Sequence, residues 1–407
     1  MLISSIKAEK TFNSRGEETI LVIVETKKGK VYSSGPSGIS KGSYEAPRFS
    51  SKGLDFSIAF INMLGKKLSQ NKTTFKYFSD LEKLEKLIKQ YDKTNNWSLI
   101  GGSALFAFES AILKAIAYDQ EKELWEFLNP DAKKLPLPLG NGIGGGKHSK
   151  KDVHPDIQEF LILPKAKYFH DAYFINLQVY KLIKKLVLEK DKTWQGEITD
   201  EKAISPNLNT DQIFSILKTV NERVESKFNL SLKLGMDVAA TSFYEKGKYN
   251  YKNPKKSLNT EEQIEYIKDL IEKYSLYYIE DPFHEDDFNS FSRLLKQTHG
   301  VLIVGDDLTA TKPERLKKAI EKKSINAVIV KPNQNGSLLG TKKFVDLAKE
   351  NKILTIISHR SGETLDNTIA DLAVAWEIPI IKTGILGRER LAKLHRLLKI
   401  ERALNKK

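Results

Sequence analysis

Cysteine is missing from this chain of 407 residues. Its absence excludes disulfides, thiolate metal sites, iron–sulfur clusters and a cysteine nucleophile, and agrees with a cytosolic setting. No apolar run approaches the length of a membrane-spanning helix, and the opening MLISSIKAEKTFNSRG lacks the apolar core of a secretion signal. A soluble, cytoplasmic protein without membrane insertion is expected. Low-complexity tracts are absent as well. So is a nucleotide-binding P-loop: in GNGIGGGKHSK, Asn141 stands where the first glycine is required, and His148 follows Gly146-Lys147 where serine or threonine is needed. A concentrated basic stripe is the last absence. The net charge is +14, but the lysines of DLEKLEKLIKQY, YKLIKKLVLEK and ERLKKAIEKK are interspersed with glutamate, as on solvated helix faces, so no specific nucleic-acid partner is expected.

What is present is a repeated unit in the second half. SLKLGMD, SLYYIED, VLIVGDD, AVIVKPN, LTIISHR and IPIIKTG are short apolar runs that finish at or near Asp237, Glu280, Asp306, Lys331, His359 and Lys382. Helix-like stretches such as TKPERLKKAIEKK and GTKKFVDLAKENK separate them. Buried parallel strands with polar tips and return helices predict a (β/α) barrel, whose catalytic residues gather at the C-terminal strand ends. Before it, ISSIKAEKTF, TILVIVETKK and KVYSSG alternate like a small antiparallel sheet. SDLEKLEKLIKQY predicts an amphipathic helix capped by Ser79, and ALFAFESAILKAIAYD a largely buried one. The expected organisation is a smaller α+β domain over residues 1–134 and a barrel over 135–407, with PLPLG (Pro136 to Gly140) as the linker.

Three carboxylates converging on one rim suit a hard cation such as Mg²⁺. A single acidic strand tip would more simply cap the next helix; Asp307, next to Asp306, is expected to point away and serve that purpose. An unpaired ammonium at the end of a buried strand is costly. Lys331 and Lys382, two cations near bound Mg²⁺, are expected to depress each other's pKa, so that one acts as a base and the other stabilises charge. SHRSGET offers a guanidinium, a hydroxyl and the amides of the helix TIADLAVAW to a phosphate. The glycines of GNGIGGGKH suggest a mobile loop carrying His148, and DIQEFLILP presents Glu159.

Taken in order, NSRG, GPSGISKGSYEA, GGGKH, DIQEFLILP, TDEKAISPNL, GMDVAATSFY, IEDPFHEDDF, VGDDLTAT, KPNQNGS, SHRSGET and IKTG resemble the enolase family over nearly the whole chain. The resemblance implies an α/β fold: a modified (β/α)8 barrel, opening with two strands and two helices, preceded by a smaller α+β N-terminal domain. It implies Mg²⁺-dependent, reversible dehydration of 2-phosphoglycerate to phosphoenolpyruvate, with two Mg²⁺ ions when substrate is bound. Asp237, Glu280 and Asp306 would ligate the first and Ser40 the second. Lys331 matches the base that takes the proton α to the carboxylate, and Lys382 would stabilise the enediolate. Glu201 matches the acid that helps hydroxide leave, with Glu159 as its partner. Arg360 and Ser361 would hold the phosphate, His148 and His359 would complete the pocket, and a homo-oligomer, dimer or octamer, is implied.

That division of labour has its own logic. Ionising a carbon beside a carboxylate adds charge to an anion and needs concentrated positive charge there, while hydroxide leaves only with an acid on hand. The chain departs from the family pattern in Lys202-Ala203, where the family has Gly-Gly, and in Gly144, where it has Asn. Two other readings are an enolase-superfamily relative acting on a different carboxylate and a non-catalytic polyanion-binding protein; the complete set of acids, base and phosphate ligands argues against both.

Overall fold

The computed structural model describes residues 1–38, 42–149 and 154–406, so Ser40 lies outside the described residues. The chain opens with an antiparallel meander, β1 (Ser5–Phe12), β2 (Glu18–Thr26) and β3 (Gly29–Ser34). Ile20, Val22 and Val24 on alternate positions of β2 are buried, the period-two pattern of a sheet with one covered face. That face is covered by α1 (Leu54–Gln70) and α3 (Gly102–Asp119). Nearly every side chain of α3 is buried, because it lies between this sheet and the barrel helix Leu338–Glu350. A helix covered on two sides reads as apolar all round. The third helix, α2 (Leu81–Lys89), buries Leu81, Leu84 and Ile88. Its cap differs from expectation: Ser79 falls inside a 3-10 turn, Phe78–Asp80, and Asp80 stands at the N-cap position without a side-chain bond to the helix, its carboxylate accepting from the preceding Lys76 and Tyr77 amides.

One acid crosses between the domains. Glu109 of α3 is wholly buried and accepts from the Leu338 amide at 2.5 Å. Burial, and then Glu85 beside it, push its carboxyl well above the ordinary 4.5. A group that keeps its proton in the folded state after the unfolded chain has lost it contributes stability that is whole below the unfolded pKa. That contribution is lost as pH rises towards the folded value. Glu109→Gln keeps an acceptor for Leu338, and is expected to make the fall in unfolding free energy as pH rises above the ordinary carboxylate range shallower than in the parent; urea denaturation at each pH measures it.

The second half closes into a barrel of eight strands: β4 (Leu137–Gly144), β5 (Glu159–Pro164), β6 (Leu232–Asp237), β10 (Tyr278–Glu280), β11 (Leu302–Gly305), β12 (Ala327–Val330), β13 (Leu354–Ser358) and β14 (Ile380–Lys382). The intervening β7 (Tyr244–Glu245), β8 (Lys248–Lys252) and β9 (Lys255–Leu258) form a separate small sheet. β5 pairs antiparallel with both β4 and β6, and the other barrel pairings are parallel. The helices Phe169–Lys190 and Thr210–Phe228 follow β5 in succession. The barrel therefore opens with two strands and two helices. Its lumen is filled by Leu139, Leu161, Tyr278, Val304, Ile329, Ile356 and Ile380 among others, so it is a packed core whose chemistry is confined to the rim.

The PLPLG segment is not a linker, since β4 begins at Leu137. Proline is tolerated there because β14 pairs with Leu137–Leu139 and β5 only from Gly140 onward. Pro138 thus has a strand neighbour on one side, as a residue without an N–H requires. The glycines of GNGIGGG likewise belong mostly to β4, with His148 on the 3-10 turn Gly146–His148. Among the described residues, no helix is long and apolar enough to cross a membrane.

Candidate active site

The reversal of β5 has a direct chemical result. Its first residue, Glu159, arrives at the rim where the parallel strands finish, opposite Asp237 at the end of β6, which in turn stands opposite Glu280 at the end of β10. Three acids thus lie side by side on adjacent strands. Asp306 follows β11, Lys331 follows β12, His359 follows β13, and Lys382 closes β14. One cleft is lined by His148, Glu159, Glu201, Asp237, Asp306, Lys331, His359, Arg360, Ser361 and Lys382. Glu280 lies beneath it, fully buried.

Lys382 is the hub of the acid row. Its Nζ lies 2.8 Å from Glu280 Oε2, 3.0 Å from Asp237 Oδ2 and 3.0 Å from Glu159 Oε2. Burial would strip its charge, but Asp237, Glu159 and Glu280 outweigh it and raise the ammonium's pKa well above the usual lysine value. Lys331 pairs with Asp306 Oδ2. There too burial is outweighed by Asp306, and Lys331 is raised to about 12 despite Arg360 and Lys382 nearby. Lys382 does lower Lys331, as expected of neighbouring cations, but Asp306 outweighs it here. Each ammonium sits closer to carboxylates than to the other cation.

Across the cleft, Glu201 meets two histidines, with His359 Nε2 at 3.3 Å and His148 Nδ1 at 3.9 Å. His148 Nδ1 is also 3.8 Å from Glu159 Oε1. Burial opposes ionisation of Glu201, but His359 and His148 hold its carboxyl well below the usual range. Glu159 goes the other way: burial, with Glu201, Asp237 and Glu280 adding, pushes it well up against the pull of Lys382. Two neighbouring carboxyls with pKa values driven apart mark an acid–base pair. The two departures around them differ in steric fit. Lys202 adopts φ 65°, the left-handed conformation glycine takes freely, and Tyr180 Oη donates to its carbonyl at 2.8 Å. A Cβ at Gly144 would lie 2.6 Å from Thr199 Cγ2, so the smallest residue suits this loop.

Arg360 and Ser361 are reached from the N-terminal domain. Arg360 is forked onto Glu45, Nη1 to Oε2 at 2.8 Å and Nη2 to Oε1 at 3.1 Å. Arg15 of the NSRG turn donates to Ser361 Oγ at 3.0 Å, and Ser37 and Gly362 exchange backbone hydrogen bonds at 2.8 Å. The helix Thr368–Ala375 does not offer its N-terminus to this cleft, because Asp366 already accepts from the Thr368 amide at 2.9 Å. Asp307 is also placed differently from expectation. β11 stops at Gly305, so alternation does not carry on to Asp307, which lines the cleft. It lies with Asp281 and Asp306 in a group whose carboxylate oxygens fall within 4.8 Å of one another. Asp281 shapes that turn by accepting from the Asp306 and Asp307 amides at 3.0 and 2.7 Å. Sequence reasoning missed Glu45, Arg15, Asp281 and Gln334; of these Asp281, adjacent to Glu280 in IEDPF, and Gln334, three residues after Lys331 in KPNQNGS, had a signal near a strand tip.

The donor set fits a hard divalent cation. Asp237, Glu280 and Asp306 supply carboxylate oxygens from neighbouring strand tips, with Tyr278 Oη donating to Glu280 Oε2. Among the described residues, His148, Glu159 and Glu201 form the other group with ligand atoms within 4.8 Å, and its mixed histidine–carboxylate character suits proton handling better than a hard ion.

Two family models match the chain: "Enolase, N-terminal domain" over residues 3–128 and "Enolase, C-terminal TIM barrel domain" over residues 132–407. The enolase of Methanosphaera stadtmanae is 40% identical over 408 residues, covering 99% of this chain and 97% of its own length. That of Methanothermobacter thermautotrophicus is 39% identical over 98% of this chain and 96% of its own. That of Archaeoglobus fulgidus is 39% identical over 100% of this chain and 98% of its own.

Proposed function

Since this chain belongs to the enolase family and is a hydro-lyase that interconverts 2-phosphoglycerate and phosphoenolpyruvate, we propose how its residues divide that reaction. Lys331 Nζ takes the proton from C2 of 2-phosphoglycerate, and the C3–O bond breaks as hydroxide takes up the proton of the Glu159–Glu201 pair, delivered by Glu201. The products are phosphoenolpyruvate and water. Lys331 becomes a base where Asp306 is engaged elsewhere, and Asp306 is one of the proposed metal ligands. Lys382 supplies fixed positive charge to the enediolate. Arg360 and Ser361 hold the phosphate, while His148 and His359 orient Glu201.

The family is Mg²⁺-dependent. Bound Mg²⁺ supplies positive charge at the substrate carboxylate, making the α-proton acidic enough to remove. Asp237, Glu280 and Asp306 are the proposed ligands of a first ion, and Ser40 of a second. A cytoplasmic homo-oligomer, with the N-terminal domain over residues 1–134 and the barrel over 135–407, completes the reading. The observation that supports it best is that both lysines, the Glu159–Glu201 pair and the Arg360–Ser361 pair open onto one cleft.

Purified protein is expected to form phosphoenolpyruvate from 2-phosphoglycerate, followed by ultraviolet absorbance, and to stop when Mg²⁺ is chelated. Folded protein that turns over no 2-phosphoglycerate at any Mg²⁺ concentration would sink the assignment of roles.

A further inference from the structure

We infer that Thr311 is a positioning residue for Lys331, an inference that rests on Lys331 being the base. Thr311 lies in the loop that leaves β11, five residues after Asp306. It is wholly buried, and its backbone is strained. Ala310 and Thr311 take φ 46° and 54° in succession, a left-handed pair that glycine or asparagine adopts far more readily than a β-branched residue. Such a conformation persists only where the surroundings hold it, and what holds it here is the turn that carries Lys331. The same branch stiffens χ1, so the hydroxyl keeps one direction.

A hydroxyl has a single proton to give. Thr311 Oγ1 accepts from the Lys331 amide at 2.9 Å and gives its own proton to Gln334 Oε1, also at 2.9 Å. With Oε1 engaged, the amide nitrogen of Gln334 faces the acids: Nε2 donates to Glu45 Oε1 at 3.1 Å and reaches Asp306 Oδ1 at 3.5 Å. The other oxygen of Asp306 meets Lys331 Nζ. A ring therefore closes through Thr311, the Lys331 backbone and side chain, Asp306 and Gln334. The Thr311 carbonyl adds a tie to the far end of the short helix Pro332–Asn335, accepting from Asn335 Nδ2 at 3.0 Å. The loop is pinned at its start as well, where the Thr309 and Ala310 amides donate to the Asp306 carbonyl at 3.1 and 2.8 Å.

Lysine carries its amine on a long flexible stem, and a base acts only from within hydrogen-bond reach of the proton it takes. Here the root of the stem is held through the amide on Thr311 and the tip through Asp306. When Asp306 is engaged elsewhere, as the base role requires, the tip is released and the tie at the root remains. Thr311 then sets the point from which the amine reaches C2.

The test is how the enediolate partitions, read on the full chain with Mg²⁺ and 2-phosphoglycerate in deuterated water. A misplaced base removes and returns the C2 proton equally slowly, since both directions pass one transition state, while loss of hydroxide is untouched. Thr311→Val keeps the shape without the hydroxyl. It is expected to lower C2 exchange by about 10–100-fold, the usual effect of misaligning a reacting group, and to lower exchange per phosphoenolpyruvate formed, with KM for 2-phosphoglycerate close to that of the parent. A purely structural role lowers the melting temperature and the number of active molecules, which leaves exchange per product unchanged. Thr311→Ser and Thr311→Ala both relieve the strained branch, and only serine keeps the hydroxyl. Serine is expected to recover most of the lost exchange and alanine little of it; alanine also stands in should Thr311→Val not fold. Serine and alanine variants that behave alike, or hydroxyl-free variants with the parent's partition while Lys331→Ala has lost exchange, overturn the inference. Lys331→Ala that keeps C2 exchange overturns the reading of Lys331 as base, and this inference with it.

Discussion

Lys331→Ala is expected to abolish exchange of the C2 proton of 2-phosphoglycerate with solvent and to lower dehydration by roughly 10²–10⁴-fold, the range a positioned general base contributes. Deuterium uptake at C2, followed by NMR in deuterated water, reads the first step alone. Ultraviolet formation of phosphoenolpyruvate reads the net reaction. The pairing of Lys331 with Asp306 sharpens this expectation, because one carboxylate governs whether the amine holds its proton. Glu201→Gln is the control: it should retain C2 exchange while losing dehydration, since its carboxyl belongs to the leaving-group side. Substantial dehydration by the Lys331→Ala protein would remove Lys331 from the role of base. Loss of exchange in both variants would mean that the two steps are not separable at these residues.

The barrel rim was legible because parallel strands buried on both faces read as apolar runs, and a polar residue ending such a run is conspicuous. Asp237, Glu280, Lys331, His359 and Lys382 were found that way, and cleft and fold place them on one rim. The antiparallel course of β5 has no such signature. Periodicity cannot tell direction, so Glu159 was tied to the acid row by the family resemblance rather than by pattern. The N-terminal contribution was the hardest to read. Arg15 meets Ser361 across 346 residues and Glu45 meets Arg360 across 315, and both come from turns where an arginine or glutamate looks like ordinary surface. The ion pairs of the two lysines were illegible for a related reason. Sequence showed two cations on neighbouring strand tips but not that each would lie within about 3 Å of a carboxylate, and at such separations the nearest opposite charge dominates.

Lys382→Met is expected to cost both activity and stability. The methionine is close in length and shape, so the change isolates the charge. In the parent, one ammonium faces Glu159, Asp237 and Glu280 at 2.8–3.0 Å, all of them buried. Removing one partner from a buried charge cluster typically costs about 3–5 kcal/mol, because the remaining charges are neither solvated nor neutralised. Part of that cost is relieved where the acids take up protons. Glu280 is already raised to about 8 by burial and Asp237, with Lys382 opposing them. Losing Lys382 raises it further. An acid whose folded pKa exceeds its unfolded value contributes stability below the unfolded pKa and loses it as pH rises towards the folded one. The difference between Lys382→Met and the parent should therefore be small near pH 5 and grow towards about pH 8, when unfolding free energies are measured in urea with a chelator present. Turnover should be lost at every pH, because the enediolate loses charge that proton uptake by the acids does not replace. A pH-independent stability difference would show that Lys382 acts by packing rather than by its charge, and retained turnover would remove it from enediolate stabilisation.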